Sequence, residues 1–184
     1  MKHLFRTTVI ILFALSSYGE VSQFSRFQSE VTPKLSMIPD KDEKAILENY
    51  LTYLGSGEAK ILEKVISDLK KKATKSGKPV SPRWISFFEG NSEFCLHKNP
   101  NVCEYSVGSA SSEKLKPRID KGDKLAMELI LVYSAAVATD GADAEGLEEY
   151  QGVLKKKYPE QIKNIESKHK SFFKKLPINW LEGA

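Results

Sequence analysis

Cys95 and Cys103 stand in the stretch whose residue types could do chemistry. An unbroken helix between them would hold their Cα atoms about 12 Å apart, whereas a disulfide requires roughly 4.4 to 6.8 Å. Asn99-Pro100-Asn101 lies between the two cysteines and favours a chain reversal, because Asn tolerates turn conformations and Pro fixes φ. The pattern therefore predicts one local disulfide between the two cysteines, provided that the compartment is oxidising.

His97 lies between the cysteines, so a Cys-His-Cys metal site is the alternative. A closed tetrahedral site needs four ligands, and the only other histidines are His3 and His169. A cysteine nucleophile would need a free thiol and a nearby base, and disulfide pairing removes the thiol. We therefore predict no metal, no cofactor and no catalytic residue in this stretch.

Large aromatic residues surround the cysteines and indicate a surface for a protein partner, because Trp and Phe anchors dominate interface energetics. Burial of the same rings in the core is the alternative. The predicted partner-binding residues are Trp84, Phe87, Phe88, His97 and Tyr105.

Three carboxylates, Glu89, Glu93 and Glu104, flank the same cluster. Paired carboxylates can hydrolyse a glycan, so a cell-wall hydrolase is one alternative function. Acids at this density are ordinary in a chain with 28% charged residues, and the sequence has neither a nucleophile elbow nor an HExxH helix. We expect a protein without enzymatic activity.

The N-terminus has the pattern of a secretory signal peptide over residues 1–19. Lys2 and Arg6 precede the apolar residues 9–15, and small and polar residues follow. The apolar segment is far shorter than the roughly 20 residues of a membrane span. We predict cleavage before Glu20, no membrane span, and a periplasmic or secreted protein.

The charge of the remaining chain argues against a nucleic-acid partner. The precursor has 28 basic and 24 acidic residues. Removal of Lys2 and Arg6 leaves 26 basic residues, a net charge of about +2, with both signs interspersed.

Helical periodicity predicts a single compact all-α domain over residues 40–184, preceded by an arm over residues 20–39 that is extended or forms one short helix. Asp40 caps the first helix of a predicted hairpin, and Gly55 ends it. The uncharged segment 129–139 predicts a buried central helix over residues 124–138. Roughly five to seven helices fit a domain of this length.

Three further segments have simple structural interpretations. Lys70, Lys71 and Lys72 are predicted to be a solvated helix end. Residues 111–121 are polar, contain Pro117 and are predicted to form a surface loop. His169 is predicted to lie at a helix edge with a satisfied ring nitrogen.

The succession Gly90-Asn91, Cys95, Cys103, Tyr105 and Gly108 resembles that of the small helical periplasmic immunity proteins that protect bacteria from type VI secretion amidases. The resemblance covers about 25 residues. It implies a disulfide-tied helical domain that blocks the active site of a cell-wall hydrolase and can form a homodimer. One residue separates Cys103 from Tyr105, where two are expected from the family.

The sequence thus predicts an exported helical binding protein, of the inhibitor or immunity type, that acts on a cell-envelope partner. A carrier of an apolar ligand is an alternative, and it requires the central helix to line a cavity.

Overall fold

The fold was analysed in a computed structural model that describes residues 22–80, 105–137 and 141–178, without the side chains of residues 141–146. These residues form nine α-helices and one 3₁₀ helix (Thr32–Met37). The α-helices are α1 (Gln23–Val31), α2 (Lys41–Ser56), α3 (Ala59–Ser76), α4 (Val107–Lys114), α5 (Lys116–Asp120), α6 (Lys124–Ala136), α7 (Gly141–Lys157), α8 (Pro159–Lys168) and α9 (Lys170–Lys175).

The described ranges contain no β-strand, only an isolated parallel bridge between Val80 and Val137. The predicted all-α fold is therefore confirmed. The described ranges contain more helices than the five to seven predicted, because several helices are only one or two turns long. The predicted disulfide falls on residues outside the described ranges.

The segment predicted as an arm forms α1 and the 3₁₀ helix. The Ser22 hydroxyl caps α1 by accepting a hydrogen bond from the Ser25 amide at 3.1 Å. Phe24, Phe27 and Val31 follow at helical spacing, and all three are buried in the same core as the later helices. Residues 22–38 thus contribute directly to the core.

The predicted hairpin of α2 and α3 is confirmed, with one changed boundary. Asp40 Oδ1 accepts hydrogen bonds from the amides of Asp42 and Glu43, both at 2.9 Å, and so caps α2. The helix continues through Gly55 and ends at Gly57, whose φ of 71° is left-handed. The prediction that the helix ends at Gly55 is wrong, because Gly57 is the residue with the left-handed backbone conformation that favours glycine.

The prediction of a loop over residues 111–121 is wrong, because α4 and α5 occupy most of it. A capping box between Ser106 and Ser109 starts α4. Pro117 lies in the first turn of α5, where its missing N–H leaves no helical hydrogen bond unmade. Ser112, Glu113, Lys116 and Asp120 of these short helices are exposed, while Leu115 and Ile119 are buried.

The predicted central helix is α6, which contacts α3, α5, α7 and α8. Asp123 caps it by accepting hydrogen bonds from the amides of Leu125 and Ala126. Seven apolar residues of α6 are buried, and so is the carboxylate of Glu128, which is 6% exposed. The buried carboxylate receives its hydrogen bonds from Lys168 and His169 in the C-terminal region.

Pro159 is the first residue of α8 and separates it from α7. His169 lies between α8 and α9. The Tyr158 hydroxyl donates a hydrogen bond to the Asp120 carbonyl at 2.7 Å and ties this region to α5. No helix in the described ranges is long and apolar enough to cross a membrane.

We expect Phe27→Ala to lower the free energy of unfolding by about 3 to 5 kcal/mol, because the ring is fully buried and its removal leaves a cavity. Met37→Ala is the matched control, since this side chain is 58% exposed, and it should change stability by less than about 0.5 kcal/mol. Chemical denaturation followed by circular dichroism measures both. Equal stability of the two variants would show that the N-terminal segment is dispensable to the core.

Candidate functional site

Most of the residues predicted from sequence to form the site lie outside the described ranges. This holds for the two cysteines, the aromatic cluster and the three flanking carboxylates, so their roles stay predictions. The residues concerned are Trp84, Phe87, Phe88, Glu89, Glu93, Cys95, His97, Cys103 and Glu104.

Tyr105 is the one predicted partner-binding residue that the structure describes, and its side chain is buried. Its ring lies 5.2 Å from that of Phe27, centroid to centroid. Its hydroxyl donates a hydrogen bond to Glu113 Oε2 at 2.5 Å. Burial raises the pKa of Tyr105, so the phenol stays neutral. The contacts of Tyr105 within the chain fix its ring, and its role toward a partner stays a prediction.

An apolar cavity of about 230 Å³ lies where α2, α3, α4, α6 and α7 meet. Three of these helices contribute residues four positions apart, which share one helix face. These pairs are Ile46 and Tyr50 of α2, Val65 and Leu69 of α3, and Leu129 and Tyr133 of α6. Gly108, Ser111, Leu115, Ile130 and Leu147 complete the wall.

The deep wall and the mouth of the cavity differ in exposure. Ile46, Val65, Leu69 and Leu129 are buried and form the deep wall. Partly exposed residues, among them Tyr133, surround the mouth. The cavity is therefore reached from the surface through a rim of α4, α6 and α7.

None of the described residues that line the cavity has a charged side chain. A hydrogen bond of 2.7 Å joins the hydroxyls of Tyr50 and Ser111 in this wall. Burial raises the pKa of Tyr50, which keeps the phenol neutral at physiological pH. The wall thus offers apolar contacts and one hydroxyl pair to a molecule without net charge.

The volume of the cavity has an energetic consequence. Unfilled volume in a core destabilises by about 24 cal/mol per Å³, so a dry 230 Å³ would cost on the order of 5 kcal/mol. The open mouth makes this an upper bound. Even half of it is large beside a total stability of about 5 to 15 kcal/mol. Side chains that filled this space would make the fold more stable.

A second, polar site lies on the opposite face of α3. It is a groove of about 310 Å³ lined by Glu63, Ile66, Ser67 and Lys70 of α3, by Glu128 of α6, and by Lys168 and His169. Glu128 is the centre of the hydrogen-bond network in this groove. Lys168 Nζ donates to both of its oxygens, at 2.8 and 2.7 Å.

His169 connects Glu128 to Lys70. Its Nε2 lies 2.7 Å from Glu128 Oε1, and its Nδ1 lies 2.7 Å from Lys70 Nζ. A carboxylate can only accept a hydrogen bond, so the ring proton is on Nε2 and Nδ1 accepts from the lysine. The order Glu128, His169, Lys70 is therefore a directed chain of hydrogen bonds.

Burial shifts the pKa of two members of this chain. It lowers the pKa of His169, against the hydrogen bond to Glu128, which acts to raise it. Burial also lowers the pKa of Lys70, against the negative charge of Glu128. At neutral pH His169 is thus a neutral acceptor beside an amine that loses its proton more readily than an ordinary lysine.

Sequence reasoning missed this network. Lys70 and Lys72 were assigned to a solvated helix end, yet both have specific partners. Lys72 Nζ lies 2.5 Å from Asp40 Oδ2 and 3.1 Å from Glu43 Oε1. His169 was correctly expected to have a satisfied ring nitrogen, and both nitrogens are in fact paired. The single acid within the apolar α6 was the available signal for a buried ion pair.

The described ranges contain no group of three or more His, Cys, Asp or Glu residues placed to hold a metal ion. Comparisons of the chain with protein-family models, curated proteins and solved structures find no match.

We expect the stability of the protein to fall between pH 7 and pH 5 because of His169. The pKa of His169 is lower in the folded state than the usual 6.5. As the pH falls, the unfolded chain therefore binds a proton before the folded chain does, and this favours unfolding. The loss is at most about 1.4 kcal/mol per pH unit. Denaturant unfolding at several pH values measures it.

His169→Gln provides the control, because glutamine does not titrate and its amide can replace both hydrogen bonds. The other histidines are common to both proteins and cancel in the difference. The stability of the variant should therefore depend less on pH in this window. A wild-type protein that becomes more stable than the variant on acidification would contradict the assignment.

Proposed function

We propose that this protein is a binding protein that takes a small, uncharged, hydrophobic molecule into the cavity between α2, α3, α4, α6 and α7. The observation that carries the proposal is that the described residues lining this cavity of the helical core are apolar or uncharged. The carrier hypothesis requires the central helix to line a cavity, and Leu129, Ile130 and Tyr133 of α6 do so.

The size of the cavity limits the ligand. A dry cavity of about 150 Å³ accommodates benzene, and sites for drug-sized molecules have about 300 to 1,000 Å³. The cavity of about 230 Å³ falls between these limits. It suits a bicyclic aromatic molecule or an aliphatic chain of about eight carbons.

The charge of the wall limits the ligand further. A carboxylate or ammonium group placed inside would lose its hydration without gaining a counter-ion from the described part of the wall, which is strongly unfavourable. A hydroxyl or carbonyl group can instead pair with the hydroxyls of Tyr50 and Ser111. The expected ligand is an alcohol, ketone or heteroaromatic compound.

We expect calorimetry to detect binding of 1-octanol and indole, with octanoate at least tenfold weaker, because the octanoate carboxylate would be buried unpaired. Val65→Phe places a ring in the deep wall and should weaken binding at least tenfold. Val65→Ala enlarges the cavity and should shift the preferred alcohol to a longer chain. Equal affinity for octanol and octanoate would contradict the proposal.

Val153→Phe is the matched control, since this valine is 50% exposed and lies away from the cavity. It adds the same ring without filling the site, so binding should be unchanged. Circular dichroism of each variant checks that helicity is retained. Binding that survives Val65→Phe in a folded protein would place the ligand elsewhere.

A protein partner in the cell envelope is the second proposed function, with the chain acting as an inhibitor or immunity protein after export. The sequence features that favour it are the predicted signal peptide, the aromatic cluster at Trp84, Phe87 and Phe88, and the resemblance to amidase immunity proteins. The partner would then be a cell-wall hydrolase, and a homodimer would be an expected state.

The two functions respond to different substitutions. Inhibition of a purified type VI secretion amidase should be lost when Trp84, Phe87 and Phe88 are replaced by alanine, and it should survive Val65→Phe. Ligand binding should show the reverse pattern. If the protein neither inhibits the amidase nor binds the ligand, both proposals are refuted.

A further inference from the structure

We propose that Lys70 is a site of N-acylation by neutral activated esters, with His169, oriented by Glu128, as the general base for the attacking amine. The inference concerns the polar groove and is independent of the ligand proposed for the apolar cavity. Nothing in the sequence pattern assigned a role to Lys70 beyond that of a charged helix end.

The geometry has the order of an activated nucleophile: a nucleophilic group, a base within hydrogen-bond reach, and a third group that orients the base. Lys70 Nζ lies 2.7 Å from His169 Nδ1, and His169 Nε2 lies 2.7 Å from Glu128 Oε1. The residues come from α3, the junction of α8 and α9, and α6. Burial of His169 and Glu128 holds the relay in place.

The fraction of free amine is the main limit on lysine reactivity. With an ordinary pKa near 10.5, only on the order of one lysine in a thousand has a free amine at pH 7.5. The neutral Nδ1 of His169 lies within hydrogen-bond reach of this nitrogen and can accept the proton that the amine gives up as it attacks. Glu128 then stabilises the imidazolium that forms, because it is bonded to the opposite nitrogen.

Burial lowers the pKa of Lys70 and so raises its fraction of free amine, and the positive charge of Lys168 acts in the same direction. The negative charge of Glu128 acts to raise this pKa without reversing the shift. Lys70 Nζ also lies 5.7 Å from the centroid of the Phe172 ring, and a cation over a ring favours the charged form.

The reaction balances with one co-reactant, the activated ester. The Lys70 ammonium loses one proton to solvent, and the free amine attacks the acyl carbon while His169 Nδ1 takes a second proton from the same nitrogen. A C–N bond forms, the C–O bond to the leaving group breaks, and the leaving alkoxide or phenoxide takes that second proton from His169. The product is an amide on Lys70, so the reaction is a single modification without turnover.

The groove gives the ester access to the amine. Lys70 is partly exposed, and the side chains of Ser67 and Lys168 are exposed at the same groove. Ser67 precedes Lys70 by three positions and therefore shares its helix face. Its hydroxyl and the Lys168 ammonium are the donors available to the oxyanion that develops during attack.

A purely structural network would tie α3 to the C-terminal helices without making Lys70 reactive. Site-resolved acylation rates separate the two roles. The full-length chain is treated briefly with p-nitrophenyl acetate at pH 7.5, and peptide mass spectrometry measures the acetylation of each lysine. We expect Lys70 to react at least tenfold faster than Lys64, which is exposed on the same helix.

Lys72 is the internal control for burial. It is also partly buried on α3, but its hydrogen bonds to Asp40 and Glu43 outweigh burial and raise its pKa. It should react more slowly than Lys64. His169→Gln keeps hydrogen-bond partners for Lys70 without a base and should reduce the Lys70 rate to that of Lys64, while Lys64 and Lys72 are unchanged.

The pH profile of the wild-type protein gives a test that requires no variant. The rate at Lys70 should level off at a lower pH than the rate at Lys64. A Lys70 that reacts no faster than Lys64, or that reacts equally fast in folded His169→Gln, overturns the proposal. None of these results depends on whether the apolar cavity binds a ligand.

Discussion

The buried carboxylate of Glu128 is the constraint on which the arrangement of the C-terminal half depends. It lies in the central helix α6 and is 6% exposed. An unpaired charge at such a position would cost several kcal/mol. Lys168 and His169 supply three hydrogen bonds to it, so the junction of α8 and α9 must lie against α6. The C-terminal helices are therefore positioned by an ionic requirement as well as by their apolar stripe.

Helix α3 separates the two sites of the molecule. Val65 and Leu69 face the apolar cavity, whereas Ser67 and Lys70 face the polar groove on the other side. The separation has an electrostatic reason, because a charge among the described residues of the cavity wall would be buried without a counter-ion. One amphipathic helix can thus support hydrophobic binding on one face and proton transfer on the other.

The elements that depend on local periodicity were predicted correctly, and those that depend on backbone conformation were not. The hairpin and the central helix follow from apolar residues three and four positions apart. The boundary at Gly57 and the helix through Pro117 depend on a left-handed φ and on a first-turn position. Sequence alone offered Gly55 as readily as Gly57, and proline occurs both in turns and at helix starts.

The two sites could not be predicted because they depend on contacts between distant residues. The Lys70–His169 contact joins residues 99 positions apart, and the Glu128–His169 contact joins residues 41 apart. The cavity arises from a deficit of side-chain volume where five helices meet, which periodicity does not report. A single carboxylate in an apolar helix nevertheless has few possible environments, since it must contact a cation, a hydrogen-bond donor or solvent. The adjacent Lys168 and His169 supply both a cation and a donor, so Glu128 is the residue from which this network can be inferred.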